Sequence, residues 1–321
     1  MFKSNWEKTS ITHKLPEKIL TKMLKLAFPD TKNITHGLIA GGCANLNFKI
    51  QLEGESHPKL LRVYLRDKKA ASREQKIAEL LKKTVLIPTV YFIGELEGYH
   101  FAITEFIIGI SLRDLLLSHT PHDLEQIMTE IGTLLSKIAS YQFPKAGFLD
   151  KNLNIIPHQS SDILKFSQNC LKHKTVLSVL SSEEKLAIQK VFDHYDHLLL
   201  EMNGHHLVHG DFDPANILVV NLNGTWKVSG ILDWEFAFSG SVLWDVANML
   251  RYAHKMPPEF QYAFINSLES SGIKLGDNWQ TTIHLLNLSS LLDCLQRSDD
   301  KLHPNRCADI RELINHICKA I

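Results

Sequence analysis

Apolar residues along the chain change their spacing twice, and each change marks a different kind of element. In PEKILTKMLKLAF, residues 16–28, Ile19, Leu20, Met23, Leu24 and Leu26 recur at helical spacing behind a proline suited to a first turn, which predicts a helix. Between Gly37 and Phe106 the period shortens. GLIAGG, LNFKIQL, KLLRVYLR, TVYFIGEL and YHFAITEF are runs rich in β-branched and aromatic residues, cut by Gly, Pro, Ser and a Glu-Gly pair, and they predict five strands of a mostly antiparallel sheet. One stretch interrupts them. ASREQKIAELLKK sets Ile77, Leu80 and Leu81 at helical spacing behind Ser72 as a candidate N-cap, so a single helix is inserted into the sheet.

From Ser111 onward the helical period dominates: SLRDLLL, the stripe Ile127, Ile131, Leu134, Leu135 and Ile138, then EEKLAIQKVFDHYDHLLLEM, LWDVANMLRYA, PEFQYAFINSLE, WQTTIHLLNLSSLLDCLQ and RCADIRELINHICKAI. The expectation is an α+β chain of two lobes, a small antiparallel β-sheet lobe over residues 1–106 and a larger, mainly helical lobe over 107–321. No internal repeat or low-complexity tract is present.

Within the helical region one segment has a different character. HGDFDPAN, residues 209–216, runs into the apolar ILVV; NLNG then carries the Asn-Gly signal of a tight turn, and WKVSGIL reads as the returning strand of a hairpin. A hairpin brings the chain back to where it left, so Asp233, after the return strand, is expected close to Asn216, before the outgoing one. One amide oxygen and one carboxylate then converge, a donor set suited to Mg²⁺, which takes few protein ligands and fills its shell with water and phosphate. Asp211 is left free to accept or orient a hydroxyl proton, which is the division of labour in phosphoryl transfer.

Composition narrows the field. With 35 basic and 35 acidic residues the chain has no general attraction for nucleic acid. The N-terminal MFKSNWEKTSITHKL lacks a signal-peptide core, and no apolar run approaches the roughly 18 residues a membrane span needs. The five cysteines, Cys43, Cys170, Cys294, Cys307 and Cys318, form no C-x-x-C pair; they read as small buried hydrophobes in a reducing cytoplasm. Trp234, Phe236, Phe238 and Trp244 read as core packing around the acidic loop rather than a ligand cage.

HGDFDPANIL resembles the H-x-D-x-x-x-x-N catalytic loop, and ILDWEFA the metal-binding aspartate segment, of the aminoglycoside phosphotransferase and choline kinase family, relatives of the protein kinases. AGGCANLNFKI is similar to that family's phosphate-loop hairpin, LLRVY to its nucleotide-contacting strand, SREQKIAELL to its glutamate-bearing helix and ITEFIIG to its interlobe hinge. The resemblance implies a bilobal protein-kinase-like fold that uses ATP or GTP with Mg²⁺. It assigns Asp211 as catalytic base or hydroxyl-orienting group, Asn216 and Asp233 as metal ligands, and Glu74 as partner of the phosphate-contacting cation. Gly41, Gly42, Asn45, Arg62 and Glu105 join Glu74 on the nucleotide side. His209 would brace the loop, Asp245 would bond its backbone from the helix beneath, and Glu235 would either support the metal or pack at the loop edge.

The chain departs from the protein-kinase pattern in two places: the strand cation is Arg62 rather than Lys, and AGGCANLN is no G-x-G-x-x-G loop. The acceptor implied is a small hydroxyl compound, an aminoglycoside-like antibiotic or another amino sugar or amino alcohol. Choline, ethanolamine, homoserine or a sugar are alternatives, as is a nucleotide-binding regulator without turnover, although such chains typically lose the base or the metal aspartate and this one retains Asp211, Asn216 and Asp233. A cationic acceptor would favour an acidic lining, for which Glu269, Asp277, Asp293, Asp299 and Asp300 are available.

Overall fold

The computed structural model describes residues 1–7, 14–39, 45–156 and 162–321. The first lobe is a five-stranded antiparallel sheet of β1 (Ile34–Ile39), β2 (Leu46–Leu52), β3 (Lys59–Tyr64), β4 (Val90–Leu96) and β5 (Tyr99–Glu105) in the order β1-β2-β3-β5-β4. β2 alternates as its sequence does, burying Leu46, Phe48, Ile50 and Leu52 on one face. The helix Glu17–Ala27 covers that face with Leu20, Met23 and Leu24, which pack with Ile50, Leu61 and Phe101 into a core of their own.

The inserted helix spans Ala70–Leu81. Ser72 lies inside it and is not its N-cap. Lys69 holds that position without a side-chain bond, and Asp67 accepts the Lys69 N–H at 2.9 Å, tying the turn from outside. Ile77 and Leu81 belong to the core of the other lobe, and Arg73 donates to the backbone carbonyl of Glu235, so this helix fastens the sheet to the site below.

The second lobe is helical, as the periodicity predicts. Its central helix, Trp279–Gln296, buries Ile283, Leu285, Leu286, Leu288, Leu291, Leu292 and Leu295, apolar side chains pointing in every direction, which is why it lies inside the lobe. Two short helices, Ile163–Leu171 and Lys174–Val179, were not expected from the spacing; each carries few buried residues. Paired small strands frame the loops: β6 (Ile110–Ser111), β7 (Gly147–Phe148), β8 (His206–Val208), β9 (Ile217–Leu222), β10 (Thr225–Ile231) and β11 (Phe238–Gly240).

The lobe boundary expected at residue 106 does not hold for the first residues. Phe2 and Trp6 are 2% and 7% exposed and sit in the core of the helical lobe. No helix among the described residues is long and apolar enough to cross a membrane.

Candidate active site

β9 and β10 form the expected hairpin, with Leu222 opposite Thr225 across Asn223-Gly224, whose φ values of 53° and 90° are those of a tight hairpin turn. At the open end Leu232 donates its N–H to the carbonyl of Asn216 at 2.8 Å, so Asp233 is delivered beside Asn216. The side-chain nitrogen of Asn216 donates to the Asp211 carbonyl at 2.9 Å and to its Oδ2 at 3.0 Å. Asp211, Asn216 and Asp233 line one cleft of about 480 Å³ whose other walls include Leu60, Arg62 and Thr104 of the sheet and Asn248 and Arg251 of the helical lobe.

The loop that carries Asp211 is held from behind. Asp245, fully buried on the helix Leu243–Leu250, accepts the backbone N–H of His209 at 2.7 Å and of Gly210 at 2.9 Å. Burial pushes its carboxyl up to about 7 against the pull of those two bonds. His209 is also fully buried; its Nδ1 takes the Asp211 N–H at 3.2 Å and its Nε2 donates to the Leu232 carbonyl at 2.8 Å, tying the loop to the hairpin's return. Burial holds this imidazole below its usual value, which keeps it neutral in that bridge. Its ring lies 4.4 Å from that of the buried Trp234, and Phe238 meets Trp244 edge-on, so these aromatics pack the loop from below.

On the nucleotide side Arg62 projects from β3, hydrogen-bonds Asp233, and approaches Glu74 at 3.8 Å and Glu235 at 3.9 Å. Glu74 also accepts the Tyr64 hydroxyl at 2.6 Å, and burial raises its carboxyl even beside Arg62. Glu235, 3% exposed, is pushed up to about 7 by burial and by the neighbouring Asp233. Asn45 is buried with its amide on Glu235 at 3.0 Å and its oxygen on the Leu65 N–H at 3.2 Å, so its side chain pins the strand entry and is not free to meet phosphate. Glu105 lies at the end of β5 with an exposed side chain turned back to the Thr89 N–H at 3.2 Å, outside the cleft lining. Gly41 and Gly42 lie outside the described residues.

The acids suit a divalent cation. The bonds of the Asn216 nitrogen to Asp211 orient its amide in the cleft, Asp233 stands beside it, and Oε1 of both Glu74 and Glu235 is buried without a hydrogen-bond partner among the described residues. No group of three or more His, Cys, Asp or Glu among the described residues could hold a metal alone. Asn216 and Asp233 therefore fit a hard ion that brings water and phosphate, as Mg²⁺ does.

The acceptor half differs from the acidic wall expected. Of the five acids named for it only Asp293 lines the cleft, and Arg297 is bonded to it. Asp299 instead caps a turn through Lys301 and Leu302. Cations crowd this side: Lys3, Arg251, Arg297 and Arg306. Lys3, absent from the sequence assignments, donates to Asp211 Oδ1 at 2.7 Å and pairs with Asp213. No local motif marks it, because the contact spans 208 residues.

Two lobes around one cleft, with an amide and two carboxylates converging on it, define a phosphoryl-transfer enzyme of the kinase type. The chain belongs to the phosphotransferase enzyme family, whose model matches residues 36–279. Among solved structures it is similar to the aminoglycoside phosphotransferase APH(4)-Ia (18% identity, TM-score 0.72, 95% of this chain and 99% of that one). A thermostable mutant of that protein in ternary complex with AMP-PNP and hygromycin B is 19% identical, with TM-score 0.69 over 94% of this chain and 97% of that one. The GDP and kanamycin complex of APH(2")-IIIa is 17% identical, with TM-score 0.68 over 93% and 97% of the two chains. No curated protein matched.

Proposed function

We propose that the protein is a Mg²⁺-dependent kinase that moves the γ-phosphoryl group of ATP or GTP to a hydroxyl of a small molecule of the aminoglycoside or amino-sugar type. The arrangement of Asp211, Asn216 and Asp233 in one cleft carries this reading. Asn216 and Asp233 would hold the metal, whose contribution when bound is to neutralise phosphate charge. Asp211 would orient the acceptor hydroxyl and take its proton; the Arg62–Glu74 pair would face the phosphates; Asp245 and His209 hold the loop. Residues 1–106, apart from the first seven, would form the nucleotide-binding lobe and the remainder the catalytic and acceptor-binding lobe. Cys170, Cys294, Cys307 and Cys318 are free thiols, in keeping with a reducing cytoplasm.

The cationic acceptor wall favours a second reading, in which the acceptor is a neutral or anion-bearing metabolite such as a sugar or homoserine. Transfer of radiolabel from γ-labelled ATP and GTP, with and without Mg²⁺, to hygromycin B, kanamycin, choline, homoserine and simple sugars separates the two. Label on an amino sugar supports the first and label on a metabolite the second. Mg²⁺-dependent nucleotide binding with transfer to neither class and no hydrolysis would argue for a regulator instead.

A further inference from the structure

Lys3 and Trp6 line the catalytic cleft, and the segment that carries them is anchored in the helical lobe. The Phe2 ring lies 5.1 Å from that of Tyr252 and 6.0 Å from that of Phe260. Trp6 donates its indole N–H to Asp309 at 2.7 Å, and the Glu7 carboxylate accepts the backbone N–H of Asn305 at 2.8 Å and of Arg306 at 3.3 Å at the start of the helix Pro304–Ala320. Between these anchors Phe2 and Lys3 both adopt left-handed backbone, with φ of 51° and 59°. A non-glycine residue there costs about 1–2 kcal/mol, so the anchors hold Lys3 in a conformation it would not choose alone.

The anchoring aims one ammonium group at the reacting centre. Lys3 Nζ donates to Asp211 Oδ1 at 2.7 Å while Asn216 donates to Oδ2 at 3.0 Å, so the carboxylate is bracketed by a cation on one side and a metal-binding amide on the other. Lys3 Nζ also forms an ion pair with Asp213 Oδ2, and the other Asp213 oxygen accepts the Ala215 N–H at 2.7 Å, which fixes that carboxylate. An ammonium has three N–H donors, shared here between two carboxylates with the Trp6 ring centroid 5.9 Å from Nζ; the side chain lines the cleft together with Asp211, Asn216 and Asp233, so donor capacity remains toward the cleft. Its two carboxylate neighbours outweigh the effect of burial and hold Lys3 above its usual value, so it stays charged.

Building on the kinase function proposed above, we propose that Lys3 is a catalytic residue whose ammonium, facing the cleft, donates to an oxygen of the phosphoryl group during transfer. An acceptor hydroxyl within hydrogen-bond reach of Asp211 lies beside Lys3 as well. Its oxygen attacks the γ-phosphorus, its proton passes to Asp211, the bond from that phosphorus to the bridging oxygen breaks, and the electron pair stays on the β-phosphate. Lys3 keeps its proton throughout and stabilises the charge on the equatorial oxygens.

The test needs no identified acceptor. Calorimetry measures the affinity of the wild type, Lys3→Met, Lys3→Arg and the double variant Lys3→Met/Asp213→Asn for Mg·ADP alone and with aluminium fluoride, which mimics the phosphoryl group in transfer. The double variant neutralises Asp213, the more buried of the two carboxylates that Lys3→Met strands, so a folding defect in the single variant does not spoil the comparison. The expected result is unchanged Mg·ADP affinity in all four, with the tightening caused by aluminium fluoride reduced at least about tenfold without the cation and partly restored by Arg. Equal tightening in the wild type and both Met variants overturns the assignment of Lys3 alone. A wild type that binds no Mg·ADP overturns the kinase reading, and this assignment with it.

Discussion

The Arg62 guanidinium is hydrogen-bonded to the Asp233 carboxylate, joining a strand of the sheet to the end of a hairpin 171 residues further along the chain. Glu74 and Glu235 face the same cation at 3.8 and 3.9 Å, so one positive charge serves three acids. Arg62→Met leaves those acids facing one another. Breaking a fully buried pair costs about 3–5 kcal/mol; because the Asp233 side chain is 26% exposed, the expected loss is smaller, about 2–3 kcal/mol. Mg²⁺ binding among the stranded acids should then raise the melting temperature of the variant more than that of the wild type, read by thermal melts with and without MgCl₂.

Asp211→Asn keeps the side-chain shape and removes the proton acceptor. Turnover should fall about 10²–10⁴-fold, the range of a general base, while nucleotide affinity is unchanged, because the bonds that place Asp211 come from Asn216 and Lys3 rather than from the nucleotide side. Rapid-quench single turnovers and equilibrium nucleotide binding on the same variant check both halves. A variant that retains full rate would remove Asp211 from the chemistry.

What was legible in the sequence was what local pattern encodes. The period-2 runs gave the five strands, with LNFKIQL coinciding with β2, and the Asn-Gly turn gave the hairpin that sets Asp233 beside Asn216. Asp245 under the loop followed from the family resemblance and bonds the backbone as expected. Contacts over long separations were silent. Lys3 reaches Asp211 only because Phe2 and Trp6 are buried in a lobe whose sequence begins a hundred residues later. Ser72 looked like an N-cap by composition, yet the helix starts two residues before it. The acids named for the acceptor wall sit mostly on turns and exposed faces, since the count of charges along a helix says nothing of which face meets the cleft.

Asp245 makes stability depend on pH in an unusual direction. Its folded carboxyl is pushed up to about 7 by burial, above the ordinary value of 3.8, so the folded state holds a proton that the unfolded chain releases. Its contribution to stability is complete below the unfolded value and falls as pH rises from about 4 to about 7, with no further loss above. Asp245→Asn cannot titrate and leaves one of the two buried N–H groups of His209 and Gly210 without an acceptor, a cost of about 1–3 kcal/mol. Urea midpoints at about pH 5 and pH 8 should therefore show the wild type's advantage over the variant shrinking at the higher pH.

Gly210, one residue before Asp211, tests how finely the loop must be placed. Its φ is +83°, and a Cβ added there would lie 2.5 Å from the backbone carbonyl oxygen of Phe236, which no side-chain rotation relieves. Gly54 has nearly the same φ, +81°, with open space around it. Gly54→Ala should cost only the left-handed strain of about 1–2 kcal/mol and leave turnover unchanged. Gly210→Ala carries that strain and must also push the loop off Phe236, loosening the Asp245 bond to its own N–H and shifting Asp211 against Asn216. A displacement near 1 Å at a reacting group is worth roughly 10²-fold in rate, so this methyl group should lower turnover about that much. Denaturant melts and single-turnover rates on the two variants separate strain from placement: equal losses of activity would show that the loop position is not what Gly210 protects.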